Sequence, residues 1–136
     1  MYEKPFKLEI VSPERVVFSG DATSFSAPGV QGGFQVLVNH APLLSSLEAG
    51  EIKVKTTDGA DVRYATSGGF AEVRGNRVVV LVETAERADE IDTERAAASK
   101  ARAEERLRFT GEGVDVERAR ASLQRALNRL RVAAKG

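Results

Sequence analysis

The 136-residue chain has no cysteine, no tryptophan, one methionine and one histidine, His40. Without cysteine there is no disulfide framework, no thiolate metal site and no cysteine nucleophile. With a single imidazole, neither a histidine-rich metal site nor the usual Ser/His pair has material to build on. An independent enzyme therefore lacks a nucleophile–base pair, and we expect no catalytic residue, no metal and no required cofactor. Long apolar runs are missing too. Nothing approaches the ~20 residues that a membrane-spanning helix needs, so no direct membrane insertion is expected. The opening stretch MYEKPFKLEIVSPE has neither the apolar core of a secretory signal nor the Arg/Ser character of a transit peptide. It reads as the start of a mature intracellular protein.

An excess of one charge is also absent, with 20 basic and 20 acidic side chains. The balance hides a split. Residues 1–91 carry 9 basic and 13 acidic groups, whereas residues 92–136 carry 11 basic and 7 acidic. The C-terminal third is a separate electrostatic object and, by this reading, a separate structural one. We place the domains at 1–86 and 87–136.

Up to residue 84 the chain alternates strand and turn. FKLEIV sets Phe6, Leu8 and Ile10 against Lys7 and Glu9, the period-two pattern of a half-buried strand. IKVKT (52–56) and DVRYAT (61–66) repeat it, and RVVVLVE (77–83) is so continuously apolar that it should be covered on both faces. Turn signals punctuate these runs at Ser12-Pro13, Ser19-Gly20-Asp21, Pro28-Gly29, Asp58-Gly59, Gly68-Gly69 and Gly75-Asn76. Short strands at this spacing predict an all-β sandwich or flattened barrel.

After residue 90 the pattern becomes helical. DTERAAASKARAEERLRF has no glycine or proline, is alanine-rich, and offers Asp92 as N-cap. TGEGVD (110–115) breaks it, and a second helix follows with Asp115 as cap and an apolar face of Val116, Ala119, Leu123, Ala126, Leu127 and Leu130. The product is an antiparallel helical hairpin. Its large side chains are few: Leu107, Leu123, Leu127 and Leu130. Docking them is worth roughly 6–12 kcal/mol gross, against ordering costs of similar size.

Five stretches are candidates for chemistry. His40, in Asn39-His40-Ala41-Pro42, reads as part of a turn leading into a strand, with Pro42 fixing the backbone. The glycines of APGVQGGF lack the following Lys-Ser/Thr of a phosphate loop, and those of SGGF (67–70) read as a turn or bulge. In EIDTERAAASKAR, Asp92, Arg95 and Arg102 fall on one helical face. That is either a nucleotide seat, with a carboxylate for ribose or adenine and guanidiniums for phosphates, or a solvated face with local pairing. The last helix carries Arg118, Arg120, Arg125, Arg129, Arg131 and Lys135 against Glu117. Scarce aromatics argue against nucleic acid and missing bulky anchors against a lipid surface. An acidic protein surface is the most economical partner.

Five segments, LEIVSPERVVFSG, APGVQGGFQVLVNHAPLL, LEAGEIKV, SGGFAEV and ETAERADEIDTERA, together resemble the epsilon subunit of bacterial F-type ATP synthase across residues 6–133. The resemblance implies a sandwich of about ten strands followed by a two-helix hairpin, in a non-catalytic subunit of the central stalk. It implies that the sandwich binds the gamma subunit and the c-ring, and that the hairpin reaches the alpha and beta subunits and impedes ATP hydrolysis. The location implied is peripheral, at the cytoplasmic face of the bacterial inner membrane. The family's nucleotide motif stands here as Ile91-Asp92-Thr93-Glu94-Arg95-Ala96, with Glu86, Arg102, Arg125 and Arg129 where accessory contacts fall, making ATP a regulatory ligand. Arg118, Arg120 and Arg125 would meet the beta subunit, and Gly33, Phe34, Asn39, His40, Ala41 and Pro42 the c-ring or gamma. Gln35 and Val38 stand where many relatives have glycine and proline, and Gly33 where some carry glutamate. The alternative kept open is a free-standing nucleotide-binding regulatory module.

Overall fold

The computed structural model describes residues 4–109 and 115–135. Two compact units divide at Arg87/Ala88. The first holds nine strands: β1 (Phe6–Val11), β2 (Val16–Ala27), β3 (Phe34–Val36), β4 (Leu43–Leu47), β5 (Gly50–Thr56), β6 (Asp61–Thr66), β7 (Gly69–Arg74), β8 (Arg77–Val82) and β9 (Ala85–Arg87). They form one continuous ladder in the order β4-β7-β8-β1-β2-β5-β6-β9, with β3 added on β2. The fold is a β-sandwich, with an open ladder ending at β4 and β9.

β2 explains how one ladder serves two layers. Its first half pairs with β1, from Phe6↔Ala22 to Ile10↔Phe18. Its second half pairs with β5 on one edge and with β3 on the other, through a register shift between Ala22 and Ser24. A shift of this kind bends and twists a strand. The single parallel pair, β1 with β8, brings residues 7–11 beside 77–81 and joins the two ends of the domain's sequence.

The period-two strands behave as their pattern requires. Phe6, Leu8 and Ile10 point inward with Phe25, Ile52, Val54, Tyr64, Val73 and Val80. Two expectations need correction. β8 is not covered on both faces: Val78, Val80 and Val82 are buried, but Leu81 is 56% exposed. An antiparallel neighbour and a single facing layer suffice, and β-branched residues pack laterally on such a strand. Ser19-Gly20-Asp21 is not a turn but lies inside β2, where pairing with Leu8 keeps Gly20 extended. Tertiary pairing overrides local turn preference there. SGGF carries the chain from β6 into β7, two strands that do not pair with each other. Gly68 sits at φ +118°, and a Cβ there would come within 2.9 Å of the Leu47 carbonyl oxygen. The Asp58 turn is closed by the Thr56 hydroxyl and the Ala60 N–H, both donating to its carboxylate, and these bonds hold the Asp58 pKa below its ordinary value.

The second unit begins with a one-turn 3-10 helix, Ala88–Glu90, followed by α1 (Thr93–Arg108) and α2 (Val116–Lys135), which pack on each other. Asp92 caps α1, its Oδ1 accepting the Arg95 N–H at 3.0 Å. Asp115 does the same for α2, accepting the Arg118 N–H at 3.1 Å. The expected glycine break at 110–114 lies outside the described residues. The buried helical positions are small: Ala96, Ala103, Ala119, Ala126 and Val132. Leu127, expected on the apolar face, is 37% exposed, while Asn128 and Val132 are buried instead. At ~100° per residue those two lie well around the helix from Ala119 and Ala126, so α2 is covered on two sides.

Candidate functional site

Two groups of side chains carry the functional expectations, one in each unit. In the sandwich, residues 37–42 connect β3 to β4. Asn39 has φ +62° and Asn76, in the tight turn between β7 and β8, has φ +58°. The left-handed region admits asparagine more readily than most residues. The two side chains then hold each other's segment. The Asn39 N–H donates to Asn76 Oδ1 at 2.6 Å, and Asn76 Nδ2 donates to Asn39 Oδ1 at 3.1 Å. The Asn76 carbonyl also accepts the Lys7 N–H at 3.0 Å, tying in the start of β1.

His40 follows directly. Its Nδ1 lies 2.6 Å from the carbonyl oxygen of Ala41, which assigns the ring a local, turn-stabilising contact. Ala41 and Pro42 are exposed and lead into β4. Gly33 and Phe34 lie at the other end of β3. With Ser26, Pro28, Gln35 and Glu51 they line a shallow hollow of about 490 Å³. Phe34 meets the buried Phe25 ring edge-on, centroids 6.3 Å apart. The expected interface residues thus fall at both ends of β3, and Asn76, which the Gly75-Asn76 pair marks only as a turn residue, is the partner of Asn39.

In the helix pair, Ile91 and Ala96 are buried and Asp92 and Arg95 exposed. Asp92 and Arg95 are brought together, but through the backbone cap rather than through the guanidinium. Arg102 rests its Nη2 on Ser99 Oγ at 3.1 Å, and Arg125 rests its own on Ser122 Oγ at 3.1 Å. Both guanidiniums lie along their own helices. Arg129 is half-buried on α2, and Glu86 lies on β9 of the first unit. Arg118, Arg120 and Arg125 are all exposed. At ~100° per residue Arg118 and Arg125 share a face, whereas Arg120 projects about 160° away. Among the described residues no group of three His, Cys, Asp or Glu side chains is placed to hold a metal ion. No described helix is long and apolar enough to cross a membrane.

Residues 5–88 match the family described as ATP synthase, Delta/Epsilon chain, beta-sandwich domain. Residues 89–134 match its companion, the long alpha-helix domain. The chain belongs to the ATP synthase delta/epsilon family. The resemblance drawn from LEIVSPERVVFSG and the later segments is borne out. The ATP synthase epsilon chain of Desulforamulus reducens is 48% identical over 111 residues, which is 82% of this chain and 83% of the relative. That of Pelotomaculum thermopropionicum is 50% identical over 107 residues, 79% of each. Among solved structures, a chain of the Euglena gracilis mitochondrial ATP synthase OSCP/F1/c-ring assembly superposes with a TM-score of 0.82 at 22% identity. The match spans 97% of this chain and 82% of that one, and supports the fold. As a member of this family the chain is a non-catalytic subunit of the synthase, its family place in the central stalk.

Proposed function

We propose that the sandwich couples the gamma subunit to the c-ring, and that the helix pair is a reversible brake on ATP hydrolysis. The sandwich offers a loop preset by the Asn39–Asn76 pair, with His40, Ala41 and Pro42 exposed or half-exposed beside it and Gly33 and Phe34 at the far end of β3. The helix pair offers α2, whose Arg118 and Arg125 would meet acidic surface on a beta subunit from one side and Arg120 from the other, with alpha alongside. ATP would act as a regulatory ligand at Ile91, Asp92, Arg95 and Ala96, with Arg102, Arg125, Arg129 and Glu86 as accessory groups. The whole would work at the cytoplasmic face of the bacterial inner membrane, peripherally, without entering the bilayer.

One observation carries the brake: the enclosed face that runs along each helix is alanine, Ala96 and Ala103 on α1 and Ala119 and Ala126 on α2. Each alanine contributes about one methyl group of burial, ~0.8 kcal/mol. A seam built this way is easily opened, which a large leucine-packed seam is not. Deleting residues 88–136 from the chain in the assembled synthase tests the reading. Hydrolysis should rise while the sandwich stays bound. An unchanged rate would remove the brake.

A further inference from the structure

The outward face of β4-β7-β8-β1-β2 is banded. Residues paired in register project to the same side of a sheet, so its rows can be read from the pairing. Arg74 pairs with Arg77, Arg77 with Lys7, and Lys7 with Asp21, giving a basic row at the end that carries the 75–76 turn. Four residues further along β7, β8 and β1, Phe70 pairs with Leu81, Leu81 with Val11 and, across a register shift, Val11 with Val16. Phe70 is 40%, Leu81 56% and Val16 61% exposed. Between these rows lies one holding Glu72 and Glu9.

We infer that Arg74 and Arg77 form a two-pronged seat for carboxylates of the polypeptide that docks on this face. Like charges directly opposite across a hairpin destabilise it, and Arg74 and Arg77 stand in that relation. The nearest acid in their row is engaged elsewhere: Asp21 Oδ1 is 2.9 Å from Lys7 Nζ. The turn between the arginines is held by Asn39, so the two guanidiniums project from a preorganised base. An arginine fork of this kind suits carboxylate better than any neutral group.

The bands also specify the occupant. An exposed apolar row of this kind marks a docking site, and it lies about 13 Å from the arginines at ~3.3 Å per residue. A helix covers that span in about nine residues. The occupant that fits is a helix with apolar anchors and, about nine residues on, one or two acids, and under the coupling role proposed above that helix belongs to the gamma subunit. The carboxylates of Glu72 and Glu9 repel an acid placed midway, which fixes the register.

This inference rests on the coupling role proposed above, and the test separates the two. Full-length chain is rebound to synthase depleted of it, at about 0.05 M and higher salt, where screening differs. The Arg74→Ala/Arg77→Ala double variant should bind about tenfold more weakly at low salt, with a flatter salt dependence. Its isolated thermal midpoint should be unchanged or raised, because a repulsion is removed. Arg74→Lys/Arg77→Lys should keep the salt dependence. Leu81→Asp should bind poorly at every salt concentration. If the alanine pair binds like the parent while Leu81→Asp does not, the carboxylate seat is wrong and the docking face stands. If Leu81→Asp also binds normally, the gamma subunit does not dock on this face and the inference falls, while coupling through the 37–42 loop still stands.

Discussion

The sandwich and the helix pair bury different kinds of side chain. Phe25, Leu8, Ile10 and Ile52 are fully enclosed in the sandwich, each worth about 1.5–3 kcal/mol of burial. In the helices the enclosed residues are Ala96, Ala103, Ala119, Ala126 and Val132. The sandwich is also cross-linked over long sequence distances, residues 7–11 lying against 77–81, so it unfolds as a whole or not at all. The helix pair is local in sequence, and its helix N-termini rest on single carboxylate caps at Asp92 and Asp115. Under the proposed function the sandwich transmits torque and the helix pair changes state, and the two packing styles suit that division.

The sharpest way to break the comparison is to empty the sandwich core. Phe25 is 0% exposed and stacked edge-on against Phe34. Phe25→Ala should cost about 3–5 kcal/mol, read as a drop in the urea midpoint of the sandwich. A loss under about 1 kcal/mol would mean that the core tolerates voids as easily as an alanine seam does. The middle effect comes from overfilling the helices. Ala103 is 1% exposed, and Ala103→Leu should cost about 1–3 kcal/mol by forcing α1 and α2 apart. Helical dichroism should melt earlier while the sandwich transition stays put. Coincident melting of both would show that the two units are not independent.

Much of this division was legible in the sequence, because it is written in local pattern. The alternation of FKLEIV and IKVKT places Phe6, Leu8, Ile10, Ile52 and Val54 inside without further information. Asp92 followed by an alanine-rich run announces its own cap. What was not legible depends on partners far away in the chain. Gly20 looks like a turn until Leu8 is known to lie beside it. The run Val78–Val82 looks doubly covered until β7 and β1 are known to flank it and leave Leu81 outside. The clasp between Asn39 and Asn76 joins residues 37 positions apart, and neither residue signals the other. In the helices, Asn128 is buried where Leu127 is not. Periodicity favours the leucine, but α2 is covered on a second side that a one-stripe pattern does not anticipate.

The smallest effect sharpens the comparison most, because it should touch one unit only. If ATP binds around Asp92 and Arg95, it stabilises the closed helix pair by RT ln(1+[L]/Kd), about 0.4–1.4 kcal/mol at one to ten times Kd. That is too little to alter the sandwich, whose ladder and large side chains hold it far from its own opening. It is comparable with what one alanine contact contributes to the seam, so it shifts the balance between closed and open helices. Amide exchange in α1 and α2 that proceeds through opening of the pair should therefore slow about two- to elevenfold over the same ligand range. Exchange at Leu8, Ile10 and Phe25 should not change. Slowing in both units would mean that nucleotide acts on the chain as a whole. No slowing at Asp92 or Arg95 would leave their face a solvated one and the brake without a nucleotide input.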